Sequence, residues 1–163
     1  MANEEQDYLL KMLQELRQFV AQVAKTGDTS GAKEALLAVV HAREQLFGKP
    51  TSEFGRLPVA EQLAWLAAGE SPAAARSKCL TYAAMLKSAG LVYQVQNEDR
   101  LAASAYQLSL YIVLILAVQT QASYDELRAE IQDLKGKIPE GALNPPVLEL
   151  LLRGEAEFEP GSA

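Results

Sequence analysis

The sequence has few of the residues from which catalytic and metal sites are usually assembled. It contains one histidine, His41, and one cysteine, Cys79, in 163 residues. One cysteine and one histidine cannot build a typical structural zinc site, and a single cysteine cannot form an intramolecular disulfide. Gly-rich phosphate loops, Walker sequences and dinucleotide fingerprints are absent as well. We therefore assign no catalytic residue, metal ligand or cofactor, and predict that the protein is not an enzyme.

Basic clusters and long apolar runs are also scarce. The formal net charge is −6, and residues 123–163 carry nine acids against four bases. Nucleic acids and anionic membranes are bound by clustered Lys and Arg, so neither is expected as a partner. The longest apolar run, 110–118, has nine residues, whereas a membrane span needs about 20. Residues 1–7 are acidic where a secretory signal would be basic, and we predict a cytoplasmic protein.

Alanine and leucine are abundant, and apolar residues recur at three- and four-residue steps, which is the pattern of amphipathic helices. We predict an all-α fold, a compact bundle of about seven antiparallel helices in a single domain, 1–163. Its predicted parts are a first helical hairpin (5–48), a connector with one short helix (49–72), a second hairpin (73–120), C-terminal capping helices (121–153) and a flexible tail (154–163).

Several single positions carry local predictions. The Ser-x-x-Glu sequence at 123–126 is typical of a capping box and is expected to open the sixth helix. We expect Cys79 to be a packed thiol on the apolar stripe of its helix, and His41 to lie at the surface or its boundary. Three acids of the sixth helix are expected to form a solvated face opposite its apolar stripe: Glu126, Glu130 and Asp133.

The second hairpin carries two spaced sets of small and large residues, which read Leu86-x-x-Ala89-Gly90-x-x-Tyr93 and Ala102-x-x-x-Tyr106, with eight residues between the sets. This spacing resembles the tetratricopeptide repeat (TPR), a helical hairpin of about 34 residues. Small residues allow two antiparallel helices to approach closely, and tyrosines fill the wedge between hairpins. The resemblance implies TPR-like hairpins within the bundle.

The pattern departs from the TPR signature at several places. Leu86 stands where tryptophan is usual, Ala89 where leucine is usual, and Leu114 near the place of a late proline. An ordinary helical hairpin that uses Gly, Ala and Tyr at these positions is the alternative interpretation. The opening residues 6–12 also resemble the start of an uncharacterised bacterial family of short TPR-like proteins, a resemblance that implies no chemistry.

TPR resemblance implies a protein–protein interaction module. A concave surface on the first and fourth predicted helices, at about 5–25 and 73–95, would then bind a partner segment. We name as the predicted partner face the exposed residues of the fourth helix expected to contact it: Arg76, Lys78, Lys87 and Gln94. Two hairpins are fewer than the repeats of a stable solenoid, so a second subunit could cover an exposed apolar face and form a homodimer.

A small-molecule carrier or sensor is the alternative function. Its ligand would lie in a pocket between helices, lined by four tyrosines: Tyr82, Tyr93, Tyr106 and Tyr111. The other interpretation of these tyrosines is core packing, with their hydroxyls at the edge of the core.

Overall fold

The computed structural model describes residues 2–159. Within that range the chain is helical without strands, which confirms the all-α class and the bundle predicted from the sequence. Eight helices follow one another along these residues: α1 (Ala2–Thr26), α2 (Thr29–Phe47), α3 (Thr51–Phe54), α4 (Val59–Ala67), α5 (Pro72–Val95), α6 (Asp99–Ala117), α7 (Gln121–Lys137) and α8 (Pro145–Phe158).

The first hairpin, α1 and α2, closes through a tight turn. Gly27 adopts a left-handed conformation with φ 67°, which glycine enters at little cost. Asp28 then caps α2, because its side chain accepts a hydrogen bond of 3.0 Å from the Ser30 N–H. Alanines on the buried side of α2, including Ala32 and Ala35, let α1 pack closely against it.

The connector contains two short helices, whereas the sequence predicted one. The unpredicted helix, α3, is one turn long and too short to show a helical period. Its Phe54 is fully buried and stacks on Phe47, with ring centroids 4.0 Å apart. Gln62 of α4 holds the connector to the core, donating to the Phe54 carbonyl at 3.0 Å and accepting from the Tyr82 hydroxyl at 2.7 Å.

The centre of the molecule is the antiparallel pair α5 and α6. Ser71 caps α5 at the predicted Ser-Pro start, accepting from the Ala74 N–H at 3.2 Å. The Ser109 hydroxyl of α6 donates to the Ala83 carbonyl of α5 at 2.7 Å. Among the described residues, α6 alone is long and apolar enough to cross a membrane, but more than half of its most apolar window is buried against other helices. A helix in the core of a folded domain can have the same length and apolar composition.

The start of α7 differs from the predicted capping box. The N-cap is Thr120, whose hydroxyl accepts a hydrogen bond of 3.0 Å from the Ser123 N–H. Ser123 lies within the helix, and its own hydroxyl donates to the Leu116 carbonyl at 2.8 Å. The capping-box prediction was therefore wrong by three residues, because two hydroxyl residues compete at this position and only tertiary packing decides between them.

The end of α8 also differs from the prediction. The flexible tail predicted for 154–163 is helical through Phe158, and residues 160–163 lie outside the described residues. Gly154 is buried, because its missing side chain makes room for the Tyr124 ring. Phe158 stacks on the same ring at 5.1 Å between centroids, so this segment has a packing partner that its sequence does not reveal.

The helices stack in an order that creates two grooves. Helix α5 packs against both α1 and α2, as well as against α6. Helices α7 and α8 each pack on α6 and touch each other mainly at one end, where Gly154 and Phe158 lie against Tyr124. Arg76 of α5 pairs with Glu126 of α7, and Lys87, further along α5, pairs with Glu130, further along α7. Because both helices advance in the same direction, α5 and α7 are parallel neighbours.

Candidate functional site

The small and large residues of the TPR-like spacing meet where α5 crosses α6. A Cβ atom built on Gly90 would lie 2.5 Å from Cε1 of Tyr106, so the glycine lets the tyrosine ring lie directly on the α5 backbone. Tyr106 is fully buried, and its hydroxyl donates to Oε1 of Gln94 at 2.6 Å. Burial, aided by the charge of Asp133, raises the pKa of Tyr106 to about 12.

The other members of this spacing complete the same packing. Leu86, Ala89 and Ala102 are buried, and Tyr93 is half-buried against the core. The set therefore forms a helix–helix contact and leaves no space for a ligand among these residues. The helices approach closely at Gly90, but the Tyr106 ring lies inside the α5–α6 hairpin and not in a wedge between hairpins.

Three residues of the predicted partner face lie on one stripe of α5, because Arg76, Lys87 and Gln94 are separated by whole helical turns. Two of these residues form ion pairs with α7. The Arg76 guanidinium lies 3.0 Å from the Glu126 carboxylate. Lys87 Nζ lies 3.0 Å from Glu130 and 2.5 Å from Asp133. The anionic partners in these ion pairs are thus the three acids that were predicted to form a solvated face of α7.

Lys87 and Asp133 affect each other's protonation. Burial acts to lower the pKa of Lys87, but its hydrogen bonds and charge interactions with Asp133 and Glu130 outweigh burial and raise it. The hydrogen bond from Lys87 holds the pKa of Asp133 below its usual range. Both groups are therefore held in their charged forms, as expected of a structural link between α5 and α7.

Lys78 lies away from the other three residues. Its ammonium group is 2.8 Å from the carboxylate of Glu70, in the loop before α5, and both side chains are partly buried. The predicted partner face is therefore divided: Lys78 faces the connector, Arg76 and Lys87 face α7, and Gln94 accepts a hydrogen bond from Tyr106 of α6.

The four tyrosines proposed to line a pocket do not converge. Tyr82 is fully buried beside Gln62, and Tyr106 is fully buried beside Gln94. Tyr93 and Tyr111 are half-buried, and of the grooves described here only one of about 320 Å³ between α6 and α8 includes a member of the set, Tyr111.

A groove of about 420 Å³ runs between α1 and α5. Leu10, Leu13 and Leu80 form its apolar lining, and Leu10 is 51% exposed. Arg17 on α1 and Arg76 on α5 stand at the groove. Arg17 is exposed and forms no ion pair within residues 2–159. Sequence reasoning selected Arg76 and the helices but missed Leu10 and Arg17, although adjacent Leu9 and Leu10 signal apolar residues on two sides of α1.

A larger groove, of about 770 Å³, lies between α7 and α8. It has an apolar floor, formed by Ile138, Leu143, Leu148, Leu151 and Leu152. Charged groups stand beside it: Lys135 of α7 and Glu155 of α8, 3.5 Å apart. Leucines surround much of α8 and cannot all face one core, which is a partial signal for this groove in the amino-acid pattern.

Neither of the two candidate reactive residues has a catalytic setting. Cys79 is 5% exposed, and burial raises the pKa of its thiol, which disfavours the thiolate that reacts. His41 is exposed on α2 and borders a shallow hollow with Met12 and Phe19. In the described part of the chain, no group of three or more His, Cys, Asp or Glu residues is placed to hold a metal ion.

Comparisons with known proteins gave no relative: no protein-family model matches the chain, and no match was found among curated proteins or solved structures. The grooves and the residues around them are therefore the features from which a function can be inferred.

Proposed function

We propose that the protein is a TPR-like protein–protein interaction module of the cytoplasm, without enzymatic activity, that binds a partner segment in the groove between α1 and α5. The observation that carries this proposal is an exposed leucine, Leu10, held in an apolar groove between two arginines. The close contact of Gly90 with Tyr106 supports the TPR-like part, since it is the kind of contact that this spacing requires.

The chemistry of the groove indicates what kind of segment fits. Leu10 and Leu80 offer apolar surface for one or two aliphatic side chains. Among residues 2–159 the Arg17 guanidinium forms no ion pair, and Arg76 shares its own with exposed Glu126. Arginine binds carboxylates through two parallel hydrogen bonds. A segment that places an Asp or Glu beside a leucine-sized residue would satisfy both features.

The test is a site-specific photocrosslink. A benzoylphenylalanine at Leu10, in the full chain, should capture a partner from the cytoplasm of the source cells. The same probe at Leu37, which is 70% exposed on α2, is the matched control and should not capture that partner. Adding Arg17→Glu to the Leu10 probe should reduce the captured partner at least tenfold, whereas Lys33→Glu on exposed α2 should not.

Arg17 is a better choice for charge reversal than Arg76 or Lys87. Those two residues form the ion pairs that join α5 to α7, so reversing them would disturb the contact between these helices as well as any binding surface. Equal capture from positions 10 and 37, or capture that is indifferent to Arg17→Glu, would contradict binding in this groove.

A further inference from the structure

We propose that Glu126 of α7 is a specificity-determining residue of the α1–α5 groove. By pairing with Arg76, it restricts the groove to a partner segment with one acidic group, which Arg17 then binds. This inference rests on the proposed function, because it concerns what the same groove accepts. Glu126 is not part of the groove lining, and it acts on binding through its charge.

Arg76 belongs to two surfaces at once. Its side chain lines the groove from α5, while its Nη2 atom donates to Oε2 of Glu126 at 3.0 Å. The Arg76 side chain is 28% exposed and that of Glu126 66%. A solvent-exposed carboxylate of α7 therefore already neutralises one of the two cations at the groove.

Arg17, on the α1 side of the groove, has no such partner. It is exposed, and within residues 2–159 it forms no ion pair. The two helices thus contribute the same type of residue to the groove but different net charges. With the Glu126 carboxylate counted against two guanidinium groups, the groove carries one net positive charge, and without it the groove would carry two.

This asymmetry determines how many acidic groups a ligand can place in the groove. A first carboxylate can bind Arg17 through charge-assisted hydrogen bonds. A second carboxylate, directed at Arg76, would meet the Glu126 carboxylate at the same guanidinium, and like charges repel. Repulsion of the wrong ligand is a general source of binding specificity, so a leucine-sized group with one acid is favoured over the same group with two.

The contact between α5 and α7 does not depend on Glu126 alone. Lys87 of α5 pairs with two carboxylates of α7, those of Glu130 and Asp133. Exposed ion pairs such as Arg76–Glu126 contribute little to folding stability. Neutralising Glu126 should therefore change the charge of the groove while the helices stay in place.

Three small probes of graded charge can test this effect. The groove, of about 420 Å³, falls in the size range of small-molecule sites, about 300–1,000 Å³. N-acetyl-leucinamide, N-acetyl-leucine and N-acetyl-glutamyl-leucine share a leucine side chain and carry no, one and two carboxylates at neutral pH. Methyl NMR signals of Leu10, Leu13 and Leu80 in the full chain report binding, at low ionic strength because salt screens these charges.

The wild type should prefer the probe with one carboxylate. We expect N-acetyl-leucine to bind about threefold more tightly than the amide, because Arg17 binds its carboxylate, and N-acetyl-glutamyl-leucine to bind no more tightly than N-acetyl-leucine. In Glu126→Gln, the probe with two carboxylates should gain about fivefold and the amide should be unchanged. A purely structural role of Glu126 would instead shift all three affinities together.

Glu130→Gln is the matched control. It removes the same charge one turn further along α7, but its partner, Lys87, does not line the groove. This variant should keep the wild-type order of the three probes. Combining Arg76→Gln with Glu126→Gln should abolish the gain, since the second carboxylate is expected to bind Arg76. Circular dichroism checks that each variant is folded.

The two ways of failing are distinguishable. If the groove leucines respond to the probes but Glu126→Gln keeps the wild-type order, or if Glu130→Gln gives the same gain, the role of Glu126 is overturned and the groove remains a binding site. If no probe shifts the signals of Leu10, Leu13 or Leu80 in any variant, binding in the groove is contradicted, and this inference falls with the proposed function.

Discussion

Two glycines of this protein are sites where a tyrosine ring lies against a helix backbone. Gly90 of α5 receives Tyr106, and a Cβ on Gly154 of α8 would lie 2.8 Å from Cε2 of Tyr124. Each hydroxyl then reaches a side-chain acceptor, which for Tyr124 is Oε2 of Glu159 at 2.9 Å. Glycine in a helix costs about 1 kcal/mol relative to alanine, so at these positions the contact with the ring opposes the local preference for alanine.

Gly90→Ala should destabilise the protein, although alanine is the better helix former. The added methyl group would overlap the fully buried Tyr106 ring, and overpacking of this kind costs about 1–3 kcal/mol. Gly136→Ala is the matched control, since a Cβ there meets nothing within 4 Å, and it should stabilise α7 by up to about 1 kcal/mol. Urea unfolding of both variants measures the difference; equal shifts would contradict the close contact.

Thr120→Ala should also lower stability, by about 1 kcal/mol, because it removes the hydroxyl that caps α7. The informative comparison is Glu126→Ala. A capping box at 123–126 would make Glu126 part of the cap, whereas in the structure it is an exposed partner of Arg76, worth only a few tenths of a kcal/mol. A larger loss from Glu126→Ala than from Thr120→Ala, in thermal or urea unfolding, would restore the capping box.

Helix α7 is joined to α5 by ion pairs as well as through α6. Lys87 is the central cation because it faces two carboxylates, those of Glu130 and Asp133. The pairs are partly exposed, so we expect a contribution of no more than about 1 kcal/mol to the free energy of unfolding. Their role at this scale is to fix the parallel alignment of the two helices.

Acid should weaken this link in a defined pH range. Because Lys87 holds the pKa of Asp133 below its usual range, the stabilisation is complete above the unfolded-state pKa of about 3.9 and is lost as pH falls through the lower folded-state pKa. Lys87→Met removes the cation, so the variant should lose less stability than the wild type between pH 5 and about pH 2. Urea unfolding midpoints of the wild type and of the variant, measured across this pH range, test the prediction. If the two sets of midpoints change with pH in parallel, the link is excluded.

Sequence periodicity predicted the long helices well and the short or terminal segments poorly. The hairpins at 5–48 and 73–120 were predictable because their apolar residues recur over many turns. Helix α3 was not, since one turn shows no period. Gly154 looked like the start of a tail, because glycine usually ends helices, and the ring that it accommodates lies 30 residues earlier in the chain.

Over the whole molecule, the grooves are the features that no local pattern could predict. Sequence reasoning named α1 and α5 as a partner surface and named Arg76, but the stripe that Arg76 shares with Lys87 turned out to face α7. The opening between α7 and α8 depends on how both helices lie on α6. That arrangement is a tertiary property, decided by side chains from three parts of the chain.

High pH should destabilise the bundle, because burial raises the pKa of three tyrosines, Tyr82, Tyr106 and Tyr124, and so favours their neutral forms. Burial raises the pKa of Tyr106 and of Tyr124 to about 12, and Glu159 adds to the effect at Tyr124. Unfolded tyrosines ionise near pH 10, so stability is complete below about pH 10 and falls as pH rises from there towards 12.

Absorbance at 295 nm and circular dichroism, followed together, should show late tyrosine ionisation that coincides with loss of helix. Tyr124→Phe removes one of these hydroxyls and should reduce the dependence of stability on pH in this range. Full tyrosine ionisation near pH 10 with the helices intact would contradict the burial of these hydroxyls.

The single thiol of Cys79 lies inside α5, the helix to which α1, α2, α4 and α6 all attach. The rate at which this thiol reacts can therefore report rare openings of the native state, without any engineered label. A thiol reagent can modify it only while α5 is exposed, and each 1.4 kcal/mol of opening free energy slows that reaction about tenfold. A labelling rate that matches global unfolding would mean that α5 opens last, and a faster rate would reveal a partly open form that equilibrium unfolding curves do not resolve.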